Sequence, residues 1–448
     1  MKMENNNHII YNLDDNMPLK KTVVYSVQHV IFFLASAVPM PIVVGIALGL
    51  NQNELAAMLQ RTFFLCGFVT ILQLAFGHRF PIFDGPAGLW SGLLIVIAGS
   101  TLQLGESLSV LRTDLEMGIM ISGFFVMALA FFGLIPTLTK LFTPIVNGML
   151  LLLMVVQISP SIVKGMTGVN SENQMIEPKS LLVFFVTVTV ALIINIYSKS
   201  FLKSVSTLMG ALAGWTLASI LGMTRAMTTS VYHLISLPEA LPWGKPTFNA
   251  GIILTCVMAS LIVISMDFAS IAGMADTLGA ALENKKLSRS ILVHGFAAAL
   301  TGVFPTVPLM PYISSAGVVS MTRVAARKPL FTASLFMIVL GLINPVGLLL
   351  AKIPVEVGYG VMIIVFAMVL SQGLRELHKR PIGNRESFVI GVPMLIGIGI
   401  MFLPSKVFCD LPSVIQYIFS NGLVDGVVLT IILEKLLLRD QQFISRDI

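Results

Sequence analysis

Fourteen stretches of mostly apolar residues, each close to the length of a membrane span, follow one another along this chain. About 20 such residues are needed to cross the hydrocarbon layer, because each helical residue rises only about 1.5 Å. The stretches lie near 22–48, 56–77, 80–100, 117–135, 141–158, 180–198 and 205–222, and then near 250–282, 290–304, 306–322, 330–351, 356–373, 386–403 and 421–438. A soluble core could not absorb so much apolar helix. Of the 448 residues, 56% are hydrophobic and only 11% charged, against about 25% charged in ordinary globular chains. The expectation is an all-α polytopic membrane protein.

Loop charge tests the count. With the N-terminus inside, Lys20, Lys21, Arg79, Lys140, Lys285, Lys286, Arg289, Arg327, Lys328, Lys379 and Arg380 fall on the inner side, and a sparser set including Arg112, Lys164, Lys245 and Lys352 on the outer. That asymmetry predicts fourteen spans in a cell membrane with both termini cytoplasmic. The net charge of +6 therefore reads as a topology signal rather than a nucleic-acid surface. Cys66, Cys256 and Cys409 are too few and too scattered for a disulfide framework or a metal site. The polar segment 1–21 is too acidic for the basic region of a signal peptide and is expected to be a cytoplasmic tail.

The longest outer connection, 223–249, divides the spans seven and seven. Seven is odd, so the second set must cross in the opposite sense, the inverted-repeat plan of many secondary transporters. Segments 3 and 10 are both written irregularly. The third reads Pro81-Ile82-Phe83-Asp84-Gly85-Pro86-Ala87-Gly88; the tenth has prolines at 305, 308 and 311 and continues Tyr312-Ile313-Ser314-Ser315-Ala316-Gly317. Irregular backbone at membrane depth survives only inside protein or beside a watery cavity. Aligning Pro81 with Pro311, the two stretches are expected to be equivalent and to line one binding site.

The residues with chemistry to offer are few. Asp267 lies in the apolar run of segment 8, where an ionisable group costs roughly 2.5–3.5 kcal/mol and so faces a cavity or a partner; it could accept from a substrate N–H and carry a proton, or hydrogen-bond between helices. Asp276, nine residues on, is placed on the opposite helical face and towards the cytoplasmic rim. Asp84 could face the cavity or cap local backbone as an Asx turn. His29, beside Gln28 in segment 1, could relay protons or make an interhelical hydrogen bond. Pro39 and Pro41 predict a break in that segment. Ser314 and Ser315 offer hydroxyls, and Gly317 permits close approach to the backbone. No nucleophile elbow, zinc motif or Walker loop is present.

These residues resemble the nucleobase-ascorbate transporter family, also called nucleobase:cation symporter-2, over nearly the whole chain. Gln28-His29 is a hallmark pair. In the tenth-segment signature, a Gln, Glu or Pro and an Asn precede a glycine that four residues separate from Thr-Arg; here Gly317 and Thr322-Arg323 match, whereas Ser314 and Ser315 replace the polar leaders. The resemblance implies a core domain (22–135 and 250–353, segments 1–4 and 8–11) and a gate domain (136–222 and 354–438, segments 5–7 and 12–14). The outer linker 223–249 joins the halves, and a second cytoplasmic tail, 439–448, follows. It also implies short antiparallel strands in segments 3 and 10 that meet at the substrate.

By position, the resemblance implies that Ala87 and Gly88 present backbone to the base, that Ser314 and Ser315 stand at the side-chain ligand positions, and that Tyr312 matches a tyrosine of uracil-permease-like members. The eighth-segment carboxylate falls at Met266 or Asp267, and Asp267 is taken because only it can do a carboxylate's work. The expected function is proton-coupled import of a purine-type base such as xanthine or uric acid, with Asp267, His29 and Asp84 as proton-coupling candidates and no cofactor besides the proton. The partners implied are a nucleobase-like solute, the bilayer, and a second copy joined through the gate domains. Alternatives are a same-fold carrier for uracil, another solute or an anion, and more remotely a passive channel or an intramembrane enzyme.

Overall fold

The structure, a computed structural model, describes residues 9–103, 105–135, 137, 140–169, 175–198, 201–223, 234–404, 407 and 421–437. The tail 439–448, Cys409 and part of the linker, 224–233, lie outside the described residues. Segment 1 comprises helices Leu19–Ala37 and Pro39–Ala47; segment 2 is Gln52–Ala75; segment 3 is strand β1 (Asp84–Pro86) and helix Gly88–Gln103; segment 4 is Leu108–Phe131. Pro144–Thr167, Pro178–Tyr197 and Ser206–Ile220 form segments 5 to 7. In the second half, segments 8 and 9 are Ala250–Leu278 and Asn284–Val303, and segment 10 is strand β2 (Leu309–Pro311) with helix Ser314–Thr322. Segment 11 is Arg327–Leu342 followed by the short helix Asn344–Leu350; segments 12 and 13 are Val355–Leu377 and Asn384–Phe402; segment 14 is Gly422–Ile432 running into a π turn, Leu433–Leu437.

Among the described residues, eight helices are individually long and apolar enough to cross a membrane. The remaining segments are shortened by breaks or begin in charged turns. Segment 9 begins six residues before its apolar run, because Asn284, Lys285 and Lys286 form its first turn. Segment 2 begins four residues early for a local reason: Asn51 caps it, accepting from the N–H groups of Asn53 and Glu54 while the Glu54 carboxylate accepts from Asn51 N–H. Segment 1 breaks at Val38 where expected, since Pro39 and Pro41 have no N–H to give the preceding turn.

Helix packing follows the repeat. Segment 9 lies along segment 4, and segment 11 along segment 2; adding seven to a segment number in the first half exchanges these two pairs. Likewise 6 packs on 7 as 13 packs on 14, while 5 packs on its own counterpart, 12. The two exchanged pairs use the same device. A Cβ on Gly123 would strike the Ala299 backbone, and one on Gly67 would strike Ser334 O, so small residues let these helices approach to backbone contact.

The segment preceding the first helix is not loose. Ile10 N–H donates to Arg323 O, Ala325 N–H to Tyr11 O and Arg327 N–H to Leu13 O, forming a short parallel pairing beside the end of segment 10. Arg327 then pairs with Asp14 at 2.7 Å and donates through Nε to Arg79 O at the end of segment 2.

Candidate functional site

Strands β1 and β2 pair antiparallel, with Asp84 opposite Pro311, Gly85 opposite Met310 and Pro86 opposite Leu309. Two further bonds of 2.8 Å extend the pairing, from Ala87 N–H to Pro308 O and from Tyr312 N–H to Phe83 O. Proline sets the length. Pro86 and Pro311 cannot donate to a ladder, and beyond each the chain turns into a helix, at Gly88 and at Ser314. Because the strands are antiparallel, these helices leave in opposite directions, each with its N-terminus at the ladder. The first N–H groups of a helix lack intrahelical acceptors and carry partial positive charge; at the segment-10 helix no side chain caps them, although Ser315 N–H and Ala316 N–H donate to Tyr312 O and Ile313 O.

The equivalence expected from sequence needs one correction. Pro86, not Pro81, corresponds to Pro311 as the strand-ending proline, and Ala87-Gly88 opens its helix whereas Ala316-Gly317 lies inside one. Matching residues by identity cannot see where donors run out, and that is what ends the strands.

Side chains hold the ladder in place. Tyr312 Oη donates to Pro86 O at 2.8 Å, and its ring meets Phe83 edge-on at 5.3 Å; Phe33 of segment 1 packs on the same phenylalanine. Gly85 is required beneath them, because a Cβ there would stand 2.8 Å from the Tyr312 ring and 2.9 Å from Phe83. Ser315 Oγ accepts from Phe83 N–H and Thr70 Oγ1 from Asp84 N–H, both at 3.1 Å. Ser315 is thus buried and occupied, while Ser314 and Gly317 are exposed on the open face of their helix. Nothing lies within 4 Å of a Cβ built on Gly317, and one on Gly88 would meet only Met40, at 3.8 Å.

Two carboxylates stand unmatched beside this framework. Asp84 on β1 and Asp267 on segment 8 are each 1% exposed. Asp84 Oδ2 and both oxygens of Asp267 form no hydrogen bond, and the two groups interact electrostatically. His294 Nδ1 lies 3.2 Å from Asp267 Oδ2 but off the direction a hydrogen bond requires. Uncompensated burial of a carboxylate costs several kcal/mol, and segment 8 accepts that cost where it packs against β2 and the segment-10 helix. Asp276 is exposed near the end of segment 8, as expected. Gln28 and His29 are half-buried on segment 1, one turn before Phe33; of that turn, it is Phe33 that touches the ladder.

His294 and Thr70 were not foreseen as parts of this cluster. A histidine within the apolar stretch Leu292-Val293-His294-Gly295 was the available signal for the first; a threonine in a membrane helix gives none. Beside the segment-3 helix lies a narrow, mostly apolar crevice lined by Leu89 and Gly92, by Met154 and Gln157 of segment 5, by Ile262 of segment 8 and by Leu423 of segment 14. It measures about 10 Å³, space for about one water. Along this seam segments 3 and 8 pack closely against segments 5 and 14.

A sequence profile described as Permease family matches residues 20–406. The uric acid permease PucJ of Bacillus subtilis (strain 168) is 27% identical over 430 residues, covering 94% of each chain. The xanthine permease of the same organism is 24% identical over 414 residues, 92% of this chain and 93% of its own. The uric acid transporter UacT of Escherichia coli (strain K12) is 25% identical over 422 residues, 92% and 85%. Among solved structures, the transmembrane domain of the cyanobacterium bicarbonate transporter BicA superposes with a TM-score of 0.59 at 13% identity, over 93% of this chain and 98% of that one. SLC26A9 gives 0.62 at 12% identity, over 93% and 66%. The structural likenesses show the fold, fourteen segments as a seven-plus-seven inverted repeat.

Proposed function

This chain belongs to the Permease family, within the nucleobase:cation symporter-2 group, and on that premise we propose that it carries a purine-type base of the xanthine or uric acid kind across the cytoplasmic membrane together with a proton. The observation that carries the reading is Asp267, a buried carboxylate beside the paired strands whose oxygens accept no hydrogen bond among the described residues and whose close polar neighbour is His294 at 3.2 Å. In this position it can accept from a base N–H when ionised, and a proton that neutralises it removes the penalty of keeping charge in the membrane. The helix N-termini at Gly88 and Ser314 would receive the base's carbonyl oxygens, with backbone at Gly88 and the exposed Ser314 and Gly317 forming the contact surface, while the Ala87 backbone is taken by Pro308 O and Ser91. Tyr312 and Ser315 act by bracing the strands.

Segments 1–4 and 8–11 serve as the core and segments 5–7 and 12–14 as the gate, so opening the seam beside Leu89 and Gln157 makes room for the base. Proton and base then favour the same inward transition, each by its own differential binding to the two states. Both termini face the cytoplasm in this reading, and two copies join through their gates. An anion carrier on the same fold is disfavoured by Asp84 and Asp267, whose charge opposes an anion at the ladder. The test is uptake of radiolabelled xanthine, uric acid and uracil into cells lacking their own permeases, with Asp267→Asn in parallel. Xanthine or uric acid uptake is expected to rise as external pH falls, and to lose that dependence in Asp267→Asn. No purine uptake, or an unchanged pH profile in the variant, rejects the proposal.

A further inference from the structure

A second polar cavity, of about 250 Å³, opens on the face that carries the 234–249 connection. Its floor is Arg61 of segment 2, a residue only 2% exposed. The guanidinium Nε donates to Pro305 O at 2.9 Å, but among the described residues no hydrogen bond or ion pair engages its two terminal nitrogens, which are also absent from the fully enclosed, unpartnered atoms. Arg61 is one of the residues that line the cavity. Glu239 lines the same cavity and interacts with Arg61 electrostatically, yet no ion pair within 4.0 Å joins them. Opposite charges that share a small cavity without meeting leave space for a group that touches both.

We infer that this cavity is an outer binding site for the same oxopurine class as the central site, filled before the base reaches the ladder. For its ligand class this inference rests on the function proposed above. The chemistry selects the class in two ways. A simple anion would satisfy Arg61 but be repelled by Glu239, and a simple cation the reverse. A neutral lactam ring presents C=O and N–H groups side by side, so the guanidinium donates to the one and the carboxylate accepts from the other. The amides of Asn53 and Asn344 can donate or accept along the remaining edge, and Leu237, Pro238 and Leu348 supply apolar contact for the ring faces. Small-molecule sites commonly combine an apolar lining with a few convergent polar groups in this way.

The cavity is also tied to the central site. Arg61 holds the carbonyl of Pro305, the first proline of the irregular stretch that becomes β2, and the next residue, Thr62, shares a 2.5 Å hydroxyl contact with Thr306. A base on Arg61 thus sits on the support of segment 10, and its binding is expected to assist loading of the ladder.

The test is equilibrium binding of radiolabelled xanthine and uric acid to the purified full-length protein, together with initial-rate uptake. Wild type is expected to show two saturable classes. Glu239→Ala, at an exposed loop position, should lose the weaker class and raise the KM of uptake about 5- to 10-fold with Vmax retained. Asp267→Asn should lower coupled uptake about 100-fold yet keep the weaker class. One saturable class in a wild type that transports, with KM unmoved by Glu239→Ala, overturns the outer site alone. A wild type that neither binds nor transports any oxopurine overturns both this inference and the functional proposal.

Discussion

Segments 3 and 10 hold equivalent places in the two halves and share one ladder, yet they end differently. On the segment-3 side most of what adjoins the strand is enclosed: Asp84 and Trp90 are 1% exposed and Ala87 is fully buried, with only Gly88 half-buried. On the segment-10 side the helix begins open, with Ser314 and Gly317 exposed and no protein atom near a Cβ on Gly317. On the function proposed above, one half would serve as a fixed frame and the other as a reading face.

The contrast can be broken experimentally, and the carboxylates give the largest expected effect. Asp267→Asn should lower coupled uptake about 100-fold, measured as initial rates at two external pH values, whereas Asp84→Asn, on the frame side, should lower the rate by less and leave the pH dependence in place. If both variants lose the pH dependence equally, the carboxylates act as one unit and the frame is not passive.

Glycine substitution comes next. Gly85→Ala should destabilise the protein by about 1–3 kcal/mol through overpacking against Tyr312 and Phe83, visible as a lower melting temperature. Gly317→Ala should stay within about 0.5 kcal/mol of wild type and change the KM for the base instead. Equal melting temperatures for the two variants would contradict the assignment of frame and face.

The serines sharpen the same point at smaller scale. Ser315→Ala removes the acceptor for Phe83 N–H and should cost about 1 kcal/mol, with loss of uptake following the loss of folded protein. Ser314→Ala should leave the melting temperature unchanged and alter the preference between xanthine, uric acid and uracil in competition assays. Last, Tyr312→Phe loses its bond to Pro86 O and should cost about 0.5–1.5 kcal/mol with base preference unaltered.

Much of this frame was legible in the chain because proline and glycine punctuate it. The breaks at Pro39, in segment 3 and in segment 10 follow from missing donors, and the buried Asp267 stands out against an apolar helix. The pairing register did not follow, because it depends on which carbonyl each N–H meets across 220 or so residues of intervening chain rather than on local pattern. The charged first turn of segment 9 and the charges Arg112, Asp114 and Glu116 early in segment 4 hid the starts of these helices, since a search for apolar runs stops at charge. The contrast between Ser314 and Ser315 was equally out of reach. The two are chemically identical neighbours, and only the rotation of their helix decides that one braces Phe83 while the other faces open space.

The pairing of residues 10–13 with Arg323–Arg327 has a consequence for how the molecule is made. Chains are synthesised from the N-terminus, so the tail is finished about 310 residues before its partner strand exists. Through the insertion of ten segments it has nowhere to dock, and its closure onto Arg323–Arg327, with Arg327 reaching Asp14 and Arg79, is a late event in assembly that registers the arrival of segment 10.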